Sequence, residues 1–177
     1  IKKILQNKGG LHNRVSEKIL LRPFTLLETK QFLNEKGIKW TEYDIAQIYM
    51  MLGGVPYYLD AVRKGESVAQ CIDRLCFSRT GLLFNEYEEL YNALFDNSEK
   101  HKLIIEILGN TKSGMTRDQL LSKSKLPSGG GFTSLMAELL SSGFSTMIFP
   151  YGVKQNKALY RIDDFFTLFY LKFMKKS

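Results

Sequence analysis

The sequence predicts a mainly α fold, a bundle of four short helices followed by a helix-turn-helix unit closed by a small β-hairpin. Three observations carry this. Capping boxes, in which a Ser/Thr hydroxyl and a Glu/Gln side chain satisfy each other's orphan helix N–H groups, stand at Thr25–Glu28, Ser67–Gln70 and Thr116–Gln119. Glycines 37, 53, 65, 109 and 143 close the helical stretches. Alternating, strand-like stretches come late, at Phe144–Tyr151 and Ala158–Ile162, after two consecutive helical patterns joined by a turn.

In order, Ile1 to Lys8 reads as the end of a helix, with Ile1, Ile4 and Leu5 on one side and Gly9–Gly10 as its stop. Val15 to Leu21 alternates loosely as a strand, and an edge strand without its sheet is poorly anchored. Pro23 breaks the pattern. The Thr25 box opens a helix to about Lys36. Thr41 caps the next, which runs to Leu52 with Ile45, Ile48, Tyr49 and Leu52 at i, i+3, i+4, i+7 spacing. Gly53 then stands where a left-handed residue ends a helix, and Pro56 where a first-turn proline costs nothing. The third helix runs from Pro56 to Lys64. The fourth follows Ser67, with Val68, Cys71, Ile72 and Leu75 inward.

The register breaks over Ser78–Leu82, which divides the chain into 1–22, 23–80 and 81–177. Leu83 to Phe95 is an amphipathic helix on Leu83, Tyr87, Leu90, Tyr91 and Leu94, with Glu86, Glu88 and Glu89 as its solvated face. Ser98 to Leu108 turns Leu103, Ile104, Ile107 and Leu108 inward. Gly114–Met115 pairs briefly as a strand. A helix follows from Thr116 to Ser124, then a turn at Leu126-Pro127-Ser128. The helix Gly131–Ser142 buries Phe132, Leu135, Met136, Leu139 and Leu140. Two strands flank the polar loop Gly152–Lys157. This is the element order of a winged helix. Asp163-Asp164 caps a last helix, Phe165–Lys175, whose stripe of Phe166, Phe169, Tyr170 and Phe173 reads as core.

The 177 residues are 44% hydrophobic, as in ordinary globular chains. No apolar run approaches the roughly 20 residues of a membrane span, and no signal peptide stands at the start. Cys71 and Cys76 do not have zinc-site spacing and read as reduced packing residues of a cytoplasmic protein. The net charge of +7 is unevenly spread. Residues 1–40 hold nine Lys/Arg against three Asp/Glu, residues 41–97 four against nine, and residues 98–177 twelve against six. A basic C-terminal part suits a polyanion partner.

No G-x-x-x-x-G-K-[ST] phosphate loop and no Walker-B acidic strand is present, so the chain should not hydrolyse ATP by itself. No Ser/His/Asp or Cys/His set stands out. His12 and His101 read as isolated surface residues. In the winged helix, Gly131–Ser142 is the recognition helix. Lys123, Lys125, Ser128, Thr133 and Ser134, with Lys154 and Lys157 of the wing, are placed to meet phosphates. The recognition helix carries no Arg, Asn or Gln, the residues that commonly read base edges. Nonspecific DNA binding and protein contact therefore stand level with operator reading.

Gly53-Gly54-Val55-Pro56-Tyr57-Tyr58-Leu59 resembles the glycine–proline motif in the helical lid of the STAND/archaeal-type AAA+ ATPases, with the prokaryotic ATP-binding branch most similar. The resemblance extends to Gly10-Leu11-His12-Asn13-Arg14, Leu21-Arg22-Pro23-Phe24-Thr25, Gly81-Leu82-Leu83-Phe84, Ser128-Gly129-Gly130-Gly131 and Leu168-Phe169-Tyr170-Leu171-Lys172-Phe173, in family order. It implies that 23–80 is a lid, that 1–22 is the end of a nucleotide-binding core, and that the rest of that core lies upstream. The start at Ile1, inside a helix-like pattern, agrees with a piece of a longer protein. The resemblance also implies that Gly53, Gly54 and Pro56 pack against the adenine and ribose, with Arg14 in a sensor-like role toward phosphate. ATP and Mg2+ would belong to the full-length protein, with no cofactor held by this part. Its partners would be the ATPase core and, through the winged helix, DNA or another protein. The alternatives are a free-standing DNA-binding regulator and a protein-interaction module.

Overall fold

The computed structural model describes residues 21–152 and 158–175. The expected helix end at Ile1–Lys8 and most of the strand Val15–Leu21 lie outside the described residues, as does most of the wing loop. Among the described residues the fold is mainly α, with one two-stranded antiparallel sheet near the C-terminal end.

The four-helix region follows its caps. Helix α1 is Leu26–Glu35, α2 is Glu42–Leu52, α3 is Pro56–Asp60, and α4 is Val68–Ile72, continued by a π-helical turn over Asp73–Phe77. All three expected capping boxes form, and Thr41–Asp44 makes a fourth with aspartate in place of Glu/Gln. Helix α3 stops short of the expected Lys64; the N–H groups of Ala61 and Val62 take the tighter i−3 carbonyls of Tyr58 and Leu59. The bundle buries Leu33, Ile45, Ile48, Leu52, Leu59, Cys71 and Leu75. Arg74 locks its edge. Its Nε and Nη2 each donate to the Glu66 carboxylate at 2.7 Å, and Nη2 also donates to the Ala61 carbonyl at 2.9 Å.

Helix α5, Glu86–Leu94, begins later than the apolar spacing predicts. Leu83 is fully buried ahead of it, its N–H donating to the Leu75 carbonyl at 2.9 Å. Leu94 faces out, and Phe95 just beyond the helix is buried instead. Helix α6, Ser98–Gly109, is also rotated from expectation: Ile104, Ile105 and Leu108 are buried while Leu103 is partly exposed.

The winged helix is completed by α7 (Arg117–Ser124), α8 (Gly130–Ser141), β1 (Ser145–Ile148) and β2 (Leu159–Ile162). Strand β1 pairs with β2 from Ser145↔Ile162 to Ile148↔Leu159, and Met115 bridges to Tyr160 as the brief third strand. Helix α8 buries Phe132, Leu135, Met136 and Leu139, with Leu140 only partly covered.

The last helix, α9 (Phe165–Phe169), runs on as a π-helical turn over Tyr170–Met174. It packs back on the four-helix region. Phe165 meets Tyr49 of α2 at 5.3 Å between ring centroids, and Phe166 meets Tyr58 of α3 at 5.4 Å. Tyr170 stacks on Tyr87 of α5 at 4.0 Å. Phe166 and Phe169 are core residues, as expected; Phe173 is half exposed. One hydrophobic cluster thus runs from Leu33 through Tyr91 to Met174.

Candidate functional site

Two places gather the residues singled out in the sequence. The first is the glycine–proline turn between α2 and α3. Gly53 has φ +66° and ψ −168°, a conformation that side chains disfavour, and its N–H donates to the Tyr49 carbonyl at 2.8 Å. The positive φ is as expected; the ψ lies away from the left-handed helical value. Gly54 solves a packing problem instead. A Cβ there would fall 1.8 Å from the Phe24 carbonyl oxygen. The Phe24 N–H donates to the Gly54 carbonyl at 2.7 Å, and the Tyr49 hydroxyl donates to the Phe24 carbonyl at 3.2 Å.

Both glycines are buried, Gly54 against Phe24 and Gly53 close to Phe165. The close backbone approach that glycine permits is thus made, at Gly54, to the chain's own Phe24. Pro56 opens α3 and is exposed, as is Tyr57 beside it. Arg14 lies outside the described residues.

The second place is the corner between α7 and α8. Lys123 and Lys125 are exposed at the end of α7, with Ser128 exposed in the turn. Lys125 ends the helix in the left-handed conformation, φ +55°, its N–H donating to the Leu121 carbonyl at 3.0 Å. Thr133 and Ser134 are exposed on the first turns of α8, but their hydroxyls are engaged within the helix. Thr133 Oγ1 donates to the Gly129 carbonyl at 3.2 Å, and Ser134 Oγ donates to Glu138 Oε1 at 3.1 Å. Lys154 and Lys157 lie outside the described residues.

His101 corrects the surface reading. It is 4% exposed, stacked on Phe95 at 3.9 Å, with Nδ1 3.0 Å from the Asn97 carbonyl and Nε2 2.9 Å from Glu138 Oε2. It ties α6 to α8 and occupies the only charge on the recognition helix. The signal was present: His101 shares the i, i+3, i+4, i+7 stripe of Ile104, Ile105 and Leu108. Arg117 carries no signal in its spacing; its guanidinium lies 5.2 Å over the Phe132 ring.

Glu86 departs from the reading of α5 as a solvated acidic face, while Glu88 and Glu89 are exposed as expected. The Tyr58 hydroxyl donates to Glu86 Oε1 at 2.8 Å, and Lys102 Nζ donates to Glu88 Oε2 at 2.7 Å. Burial raises the Glu86 carboxyl above its usual range, against the Tyr58 hydrogen bond, which lowers it. Burial likewise raises Asp164, whose carboxylate accepts from the Thr167 N–H at 2.7 Å and caps α9. Tyr58, Glu86 and Asp164 thus form a polar seam between α3, α5 and α9. Among the described residues, no three His, Cys, Asp or Glu side chains gather as metal ligands, and no helix is long and apolar enough to cross a membrane.

No family model matches the chain. It is 26% identical over 176 residues to an uncharacterised protein of Methanocaldococcus jannaschii, an alignment covering 97% of this chain and 38% of that protein. Its structure matches the Walker-type ATPase of Pyrococcus abyssi known as PABY2304 with a TM-score of 0.58 and 20% identity, over 97% of this chain and 49% of that one. The chain resembles, in fold, part of a Walker-type ATPase. It spans about two fifths of the curated relative and half of the solved structure.

Proposed function

We propose that this chain is the helical lid and winged-helix part of an AAA+/STAND-type ATPase, whose phosphate-binding loop lies in another part of the full-length protein. The observation that carries this reading is the match of nearly the whole chain to half of a Walker-type ATPase, joined to a sequence without a phosphate loop. In this reading the glycine–proline turn faces the nucleotide. Gly53 and Gly54 shape the turn on Phe24, and the exposed Pro56 offers its rigid apolar edge to the base. The resemblance gives Arg14 a sensor-like role toward phosphate. ATP and Mg2+ are held mainly by the core, and the lid moves with their binding and loss. The test is to read the coding sequence before Ile1 and assay the longer polypeptide. It should carry a phosphate loop and hydrolyse MgATP, while this chain alone does neither. A start codon directly before Ile1, or hydrolysis by this chain alone, refutes the proposal.

The winged helix then contacts a polyanion or a protein. Lys123, Lys125 and Ser128 at the exposed corner favour nonspecific duplex binding through phosphates. Replacing both lysines by glutamate should lower the slope of log K against log salt by about 2, at roughly 0.9 for each phosphate no longer neutralised. A duplex affinity unchanged by that double substitution counts against it. Protein contact is favoured by a different observation. The exposed hydroxyls of α8 and its one carboxylate bond within the protein, which leaves few groups for base edges.

A further inference from the structure

A groove of about 1000 Å3 runs between the end of α6, strand β2 and the outer side of α9. The wall on α9 is apolar, made by Phe165, Leu168 and Leu171 at helical spacing; Phe165 and Leu168 are 37% and 39% exposed. The rim is cationic. Lys112, Arg161 and Lys172 line it, and among the described residues none of the three has a carboxylate within ion-pair distance. Lys172 Nζ also lies 5.3 Å over the Phe173 ring. Of the two carboxylates on the groove, Glu106 is held by Lys175 and Asp163 stands exposed. The groove therefore keeps an excess of positive charge over an apolar wall.

We infer that this groove docks an amphipathic helix of a partner protein, one that carries leucine-like residues on one face and carboxylates beside them. The mode is helix-in-groove recognition: the apolar stripe of the ligand covers Phe165, Leu168 and Leu171, and its carboxylates reach the rim cations Lys112, Arg161 and Lys172. Nucleic acid fits less well: of the three wall residues only Phe165 offers a π-face on which a base could stack. The inference does not depend on the ATPase reading, because every residue it uses lies in the winged-helix part and α9. It is also separate from the Lys123–Lys125 corner.

The test uses this chain and a fluorescein-labelled synthetic helix of about 18 residues, five turns, with leucines at i, i+3, i+4, i+7 and glutamates flanking them. Fluorescence anisotropy should show saturable, salt-weakened binding. Arg161→Glu and Lys172→Glu should each weaken it about tenfold, as should Leu168→Asp. Lys39→Glu, at an exposed position of the four-helix region, should leave it unchanged. The two charge reversals are at surface positions, so they test the groove even if Leu168→Asp lowers stability. A scrambled peptide binding as well, affinity indifferent to both charge reversals, displacement by a single-stranded oligonucleotide, or no binding at all would each overturn the inference.

Discussion

Replacing Gly54 by alanine tests the claim that this glycine exists for a contact inside the protein. The new Cβ would lie 1.8 Å from the Phe24 carbonyl oxygen, 2.6 Å from its carbon and 2.7 Å from its nitrogen. These are backbone atoms and cannot rotate away, so the Phe24 segment must shift by about an ångström or more. That shift strains two hydrogen bonds, from the Phe24 N–H to Gly54 at 2.7 Å and from the Tyr49 hydroxyl to Phe24 at 3.2 Å. Overpacking costs about 1–3 kcal/mol, and breaking each hydrogen bond about 0.5–1.5 kcal/mol. The reduced freedom of the unfolded alanine chain returns about 0.4–1 kcal/mol. The expected net loss is about 1–6 kcal/mol, centred near 3 kcal/mol. Urea unfolding followed by Trp40 fluorescence reads it directly, since Trp40 sits in the same bundle with its indole N–H on the Glu66 carbonyl at 2.8 Å. Gly65→Ala is the comparison. Its φ of +83° is strained for alanine, but no atom lies within 4 Å, so it should lose only about 1–2 kcal/mol. A Gly54→Ala midpoint within about 0.5 kcal/mol of the parent would refute the packing argument.

Two more outcomes follow from burial. The Asp164 carboxyl is raised by burial, so the folded state keeps a proton that the unfolded state has released just above its ordinary pKa. Stability therefore falls as pH rises through that window. Asp164→Asn, which still accepts the Thr167 N–H through its amide oxygen, should remove that fall. Urea midpoints across the acid to neutral range check it, and parallel curves for parent and variant would refute it. Cys71 and Cys76 are almost completely buried, and burial pushes their thiols up to about 11 and about 12. A thiol reagent at pH near 8 should modify neither until the protein unfolds; stoichiometric labelling of the native protein would contradict this.

What the sequence by itself determined is local. A capping box closes over three residues, so Thr25–Glu28, Ser67–Gln70 and Thr116–Gln119 were legible from spacing and residue type. The winged-helix order was legible for the same reason, because turns and periodicity are short-range signals. The rotation of a helix about its axis was less so. Leu103 and Ile105 are neighbours of equal hydrophobicity, and only the packing of α6 against α5, α7 and α8 decides which one is buried. The inward half-turn of Glu86 was not legible, because a polar side chain is placed inside by its partner, and Tyr58 lies far away in sequence. His101 stands on the apolar stripe of its helix, but its partner Glu138 could not be read from any spacing. The same holds for the candidate sites. Lys123 and Lys125 could be read as an exposed corner from the turn beside them. That the close approach at Gly54 is made to Phe24 depends on the segment before α1 crossing the α2–α3 turn, and that Lys112, Arg161 and Lys172 share one groove depends on the last helix lying beside β2 and the end of α6. Contacts across such separations leave no period in the chain; they exist only once the core has closed.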